Sequence, residues 1–217
     1  MLIKKKVLKQ TNTSFDYTDP FRLSDQLTVE EKQIKNLSSD FAKKELLPSI
    51  VKQNRYEEFD KSLFKKFGKL GLLGAQINGY GCAGVSSVAY GIIAKEIESV
   101  DSAYRSCLSV QSSLVMQPIF DFGNENQKQK WLPALSKGNL IGCFGLTEPD
   151  HGSDPSSMQT KARKVKGGYL LSGSKNWISN SPIADLFLVW AKDEHDIIRG
   201  FVLERKDSNN IETPKIE

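Results

Sequence analysis

The segment richest in reactive groups is Phe144-Gly145-Leu146-Thr147-Glu148-Pro149, which runs on into Asp150-His151-Gly152-Ser153-Asp154-Pro155. It offers a threonine hydroxyl at a strand end, a glycine that lets backbone approach a ligand closely, and loop N–H groups beside the Ser153 hydroxyl. Together these suit a phosphate. The same residues also fit an ordinary turn in which Ser153 and Asp154 bond their own backbone. A second cluster, Asn176-Trp177-Ile178-Ser179-Asn180, supplies an indole that could stack on a planar ring and a hydroxyl that could donate to a ring heteroatom. Tryptophans are more commonly core residues, and that alternative stands beside it. The third group is Arg105-Ser106, after which no charge occurs until Asp121. A guanidinium there needs an anionic or polar partner. Glu98 or Asp101 could serve, and so could a ligand carboxylate gripped in a bidentate fork.

Other matches to known chemistry are weaker. Gly79-Tyr80-Gly81-Cys82-Ala83-Gly84 fits the dinucleotide-binding glycine pattern, but that fingerprint needs a strand before it and a parallel strand after its helix. Here helix follows helix, so the run reads as a flexible loop. His151 and His195 have no hydrolytic or metal-binding context. Cys82, Cys107 and Cys143 lie far apart in sequence, which suits neither a zinc site nor a redox pair and fits a reducing compartment.

Two kinds of element must position these groups. From about residue 27 to 138 the apolar period is helical. Thr28 and Glu31 form a capping box ahead of Ile34, Leu37 and Phe41, and Pro48 is expected to stop or kink that helix. Phe59, Leu63, Phe67 and Leu70 mark a second helix, and Val85, Val88, Ile92, Ile93, Ile97 and Val100 a third. Ala103 to Phe122 is apolar nearly all round, as a buried helix is, with a kink expected at Pro118. Asn124 and Gln127 cap a short helix that stops at Gly138. From Ile141 the period falls to two. Met158, Thr160 and Ala162 alternate, Gly167-Gly168 reads as a tight hairpin, Gly173 lies in a second turn, and Leu186–Trp190 and Ile198–Leu203 are short apolar strands. About five strands result, so the expected class is α+β: a helical domain followed by an incomplete antiparallel sheet or barrel.

Taken in order, the two motifs between a helical and a β half resemble the acyl-CoA dehydrogenase family. Within it, the run from Ser102 through Arg105-Ser106 to Met116 and the stretch Phe144 to Ser157 are similar to the glutaryl-CoA dehydrogenase type. The resemblance implies an extension over residues 1–26, a helical domain over 27–139 and a truncated middle β domain over 140–217. It implies FAD as cofactor. Phe144, Leu146, Thr147, Trp177, Ile178 and Ser179 would line the isoalloxazine. Gly145, Glu148 and Pro149 complete the signature. Gly152 and Ser153 would meet the pyrophosphate, Ser153 also lying near the CoA arm. Arg105 and Ser106 would hold the distal carboxylate of glutaryl-CoA. Where the family has threonine this chain has Ser179, which keeps the hydroxyl. The family's catalytic glutamate belongs to a C-terminal helical domain that this sequence does not reach, so no residue here is assigned as the base. The implied reaction is oxidation and decarboxylation of glutaryl-CoA to crotonyl-CoA in lysine and tryptophan degradation. Electrons would pass to an electron-transfer flavoprotein, and the assembly would be a homotetramer. Another acyl-CoA specificity, or a non-catalytic flavin-binding fragment, remains the alternative.

Composition bounds the rest. Of the 217 residues, 39% are hydrophobic and 26% charged, which excludes disorder and collagen-like or disulfide-scaffold classes. The net charge of +4 is interspersed and gives no nucleic-acid surface. No apolar run approaches the roughly 18 residues of a membrane span, and no signal-peptide core follows the basic start. A bacterial cytoplasm is expected. Lys4, Lys5, Lys6 and Lys9 keep a mitochondrial matrix open as a short basic leader.

Overall fold

The structure, a computed structural model, describes residues 15–208 and 210–214. The lysines at positions 4, 5, 6 and 9 lie outside them. The helical half comprises α1 (Leu23–Gln26), α2 (Val29–Phe41), α3 (Leu47–Tyr56), α4 (Leu63–Lys69), α5 (Ser87–Glu98), α6 (Ser102–Ser109), α7 (Gln117–Phe122) and α8 (Glu125–Ser136). Side-chain caps set the starts of four of these helices. Thr28 and Glu31 form the expected reciprocal box, as do Asn124 and Gln127, while Ser86 and Asp101 cap α5 and α6. Phe59 and Val85 fall in the loops before their helices.

Neither proline ends its helix. Pro48 and Pro118 are each the second residue of a helix, and each helix is preceded by a π-helical stretch, Ala42–Leu46 and Val110–Met116. A proline in a regular helix lacks its N–H and collides with the carbonyl four residues back. Just before each proline the backbone widens: Leu47 N–H reaches Ala42 O and Gln117 N–H reaches Ser112 O, five residues back. The chain therefore passes without a break from α2 to α3 and from α6 to α7.

Phe64, Phe67, Leu73, Ile97, Leu108, Met116 and Leu132 form the centre of a core that continues into the sheet through Ile141, Leu186 and Leu188. Where α4 meets the end of α8 the contact is backbone on backbone. A Cβ on Gly68 would lie 2.3 Å from the Lys137 carbonyl carbon, and one on Gly138, at φ +66, would lie 2.1 Å from Phe64 O.

The sheet has five strands among the described residues: β1 (Gly142–Gly145), β2 (Lys161–Val165), β3 (Gly168–Ser172), β4 (Leu186–Lys192) and β5 (Ile198–Glu204). It is mixed rather than wholly antiparallel. β4 runs antiparallel to β5 on one side but parallel to both β1 and β2. β1 pairs with Leu186–Val189 and β2 joins at Lys161↔Lys192, so the two lie end to end beside β4. Residues 146–160 are an excursion between them. Met158 and Thr160 belong to that excursion and not to a strand. The hairpin turn of β2 and β3 is Lys166-Gly167, with Gly167 at φ +89, and Gly168 already pairs with Val165.

Candidate functional site

The excursion begins where β1 ends. Phe144 packs edge-on against Trp190, with ring centroids 6.2 Å apart, and Gly145 pairs with Val189. Pro149 and Asp150 then make a tight turn: the N–H groups of Glu148 and His151 each donate to the other's carbonyl at 3.2 Å. Gly152 and Ser153 are exposed beyond it. A Cβ on Gly152 would meet nothing within 4 Å, so the protein's own atoms do not require glycine there. Asp154 bonds the hydroxyls of Ser156 and Ser157 and starts a short 3-10 turn over Pro155–Ser157. That part of the loop follows the ordinary-turn reading. Ser153 does not, since its hydroxyl has no partner among the described residues.

The second motif lies beside the first. Asn176 N–H donates to Thr147 O at 2.9 Å. Ile178 turns inward against Cys143, Ala184 and Phe187, and its neighbours Trp177 and Ser179 stand outside. Trp177 is 70% exposed and sits at φ +58, a left-handed conformation that costs a bulky residue free energy. It is therefore not the core tryptophan that base rates favour. The hydroxyls of Thr147 and Ser179 also lack partners among the described residues. An exposed indole beside unpaired hydroxyls on two adjoining loops can receive a planar heteroaromatic group and donate to it. These features fit a flavin.

Arg105 resolves differently. Its Nε donates to Glu98 at 2.5 Å and its Nη1 to Ser109 Oγ at 3.2 Å, so its nearby partner is Glu98, while Asp101 is occupied in capping α6. The side chain is 36% exposed, and its Nη2 is unbonded among the described residues. Ser106, next to it, is half-buried. This end of α6 adjoins the second motif. Asn180, at φ +70, donates from Nδ2 to Cys107 O at 3.4 Å and to Gly142 O at 3.1 Å.

Among the ionisable residues of the first motif, only Glu148 is enclosed. Burial pushes its carboxyl up, but Lys175, the Thr160 hydroxyl and the N–H groups of Gln159 and Thr160 outweigh that and hold it at about 2. It is an ion-paired anion and unsuited to take up a proton. Sequence reading passed over Lys175, because an isolated lysine reads as solvated surface. It also passed over Gln111, fully buried in the π-helical stretch, which donates to Leu135 O and Leu140 O and accepts from Gly142 N–H, fixing the start of β1. Burial drives the Cys107 and Cys143 thiols up to about 12, so neither is a ready nucleophile. Among the described residues no group of three acidic, histidine or cysteine side chains is placed to hold a metal. No helix there is long and apolar enough to cross a membrane.

The acyl-CoA dehydrogenase N-terminal domain family matches residues 28–139, and the acyl-CoA dehydrogenase middle domain family matches residues 143–217. An acyl-CoA dehydrogenase of Bacillus subtilis (strain 168) is 39% identical over 184 residues, covering 82% of this chain and 48% of that protein. A glutaryl-CoA dehydrogenase of Mycobacterium smegmatis, solved in complex with FADH2, superposes with a TM-score of 0.87 at 41% identity, covering 91% of this chain and 50% of that one. Butyryl-CoA dehydrogenase of Megasphaera elsdenii superposes with a TM-score of 0.77 at 36% identity, covering 82% and 49%. The chain thus spans about half the length of the relatives it matches. With both domain families matched in order across its helical and sheet halves, the chain belongs to the acyl-CoA dehydrogenase family.

Proposed function

We propose that this chain carries the flavin-facing part of an FAD-dependent acyl-CoA dehydrogenase whose substrate is a short dicarboxylic thioester, glutaryl-CoA. The observation that carries the flavin reading is the Asn176 N–H to Thr147 O bond, which sets the exposed Trp177 beside the unpaired Thr147 and Ser179 hydroxyls. Bound there, FAD supplies the acceptor for the hydride leaving the β carbon of the thioester. Trp177 offers its ring face, Thr147 and Ser179 donate to ring heteroatoms, and Phe144 and Leu146 exclude water from the apolar side, while Ile178, expected from the sequence to line the ring, instead anchors the loop from the core side. Gly145 and Pro149 shape the strand end and the turn, and Gly152 and Ser153 face the pyrophosphate. Glu148 keeps the loop in place and does not take the α proton, so that base belongs outside the signature.

The glutaryl specificity rests on Arg105 and Ser106. Glu98 and Ser109 orient the guanidinium through Nε and Nη1, leaving Nη2 for a distal carboxylate. A second reading has its own support. Because Glu98 already neutralises Arg105, this part of α6 also suits an uncharged short acyl chain such as butyryl. Electron transfer to an electron-transfer flavoprotein, homo-oligomeric assembly and a bacterial cytoplasmic or mitochondrial matrix setting are part of the same proposal. The first test is the visible spectrum of the purified, desalted 217-residue chain. Flavin bands at near-stoichiometric amount are expected, and a folded, colourless protein that takes up no added FAD overturns the flavin reading. In catalytically competent enzyme containing this chain, Arg105→Ala is expected to lower kcat/KM for glutaryl-CoA at least a hundredfold more than for butyryl-CoA. Equal losses favour the butyryl reading.

A further inference from the structure

Lys175 is enclosed, with only 11% of its side chain exposed, and it pairs at 2.8 Å with Glu148, which is 4% exposed. The bonds around this pair run in a tight order. Lys175 Nζ donates to Leu146 O at 3.0 Å and to Glu148 Oε1. The next residue, Asn176, donates its N–H to Thr147 O. Three consecutive residues of the first motif are thus held by Lys175, just ahead of the second motif, and by Asn176, its first residue, and Trp177 with its left-handed backbone follows at once. The Glu148 carboxylate also reaches the far end of the excursion, accepting from Gln159 N–H at 2.6 Å, Thr160 N–H at 2.9 Å and Thr160 Oγ1 at 2.5 Å. One buried ion pair therefore closes the base of the 146–160 loop and joins it to the loop that carries Trp177 and Ser179.

We infer that Lys175 and Glu148 are positioning residues. They touch no ligand themselves, and they fix the register between the Thr147 hydroxyl and the Trp177–Ser179 segment, so that both motifs present one preformed face to the isoalloxazine. This inference rests on the flavin reading above only for the identity of that ring. Loss of the lysine leaves Leu146 O without its donor, and a buried carboxylate left without its cation must protonate, draw in water or shift, which loosens the loop base at Gln159 and Thr160. The arrangement is also what a preorganised site requires: side chains facing the ligand, locked by a satisfied polar network behind them.

The test uses the full chain with Lys175→Met, Lys175→Arg, and Lys175→Met combined with Glu148→Gln. The combined variant leaves no unpaired buried charge, so it remains informative if the single variant fails to fold. Amide hydrogen exchange without flavin is read at Gln159, Thr160 and Asn176. Exchange is expected to quicken at least tenfold at these sites in Lys175→Met and in the combined variant, with α5 and β5 unchanged. Lys175→Arg should keep most of the protection. FAD titration should show Kd raised at least tenfold in both methionine variants and much less in Lys175→Arg. Unchanged exchange at the three amides, or quickening spread evenly over the chain, overturns the inference. So does unchanged FAD affinity where the parent chain binds. If the parent chain binds no FAD, the flavin reading fails, while the exchange measurement still decides whether the pair locks the two loops.

Discussion

At the scale of single residues, Trp177 separates the cost of the site from its use. A left-handed backbone on a bulky residue costs on the order of 1–3 kcal/mol, and a side chain 70% exposed recovers little of that by burial. Folding alone therefore gives no reason for tryptophan there, whereas a ring platform does. Trp177→Gly is expected to leave the unfolding free energy unchanged or to raise it by up to about 1 kcal/mol, because glycine adopts the same φ freely. The same change should weaken FAD roughly tenfold, as loss of about 1.4 kcal/mol of ring contact would. Thermal unfolding and a flavin titration on the same preparation check both halves. A clear loss of stability, or undiminished affinity, would assign the indole to the fold instead. Residue types and order in the two motifs were legible in the sequence. Which side of the loop the indole takes was not, since that depends on Ile178 filling the core space against Cys143 and Phe187.

At the scale of elements, glycine does more than stop a helix. Gly138 was legible as the stop of α8, but its closest neighbour is Phe64 O of α4, and Gly68 faces Lys137 in the same crossing. Gly138→Ala must place a methyl within 2.1 Å of a backbone oxygen at a φ of +66, with no flexible side chain to give way. The expected loss is on the order of 3 kcal/mol or more, measured by denaturant unfolding. A loss under 1 kcal/mol would mean the two helices slide apart at little cost. Helix starts were readable because caps are local. The uninterrupted passages at Pro48 and Pro118 were not, because a proline's ring is compatible with a π-helical stretch that leaves no mark on the apolar period. The parallel pairing of β1 with β4 was also hidden. Short strands carry the same alternation whichever way their partner runs, and their orientation is set by the long connection over residues 146–185.

At the scale of the whole molecule, the halves share one core, and two depressed carboxylates tie its loops and ends together. Glu204, at the end of β5, accepts from Trp131 Nε1 of α8 at 3.0 Å and pairs with Lys130 and Lys206. Its carboxyl is held at about 2, chiefly by Lys130. Glu148 is held equally low. In each case the folded pKa lies below the ordinary 4.5, so the stabilisation is fully present above that value and is lost as pH falls through the folded one. For enclosed Glu148 this is on the order of 2–3 kcal/mol, and for Glu204 it is less, because the lysines paired with it are more than half exposed. Unfolding free energy should therefore be level from about pH 6 to 5 and fall steeply between about pH 4.5 and 2. Glu204→Gln should flatten the fall slightly, and Glu148→Gln with Lys175→Met should flatten it much more. The continuous core requires helical circular dichroism and tryptophan fluorescence to report one coincident transition at every pH above that fall. Two separated transitions would mean that the contacts of Glu204 and Gln111 join independently stable halves, and an acid slope indifferent to both sets of substitutions would place the titrating groups elsewhere in the chain.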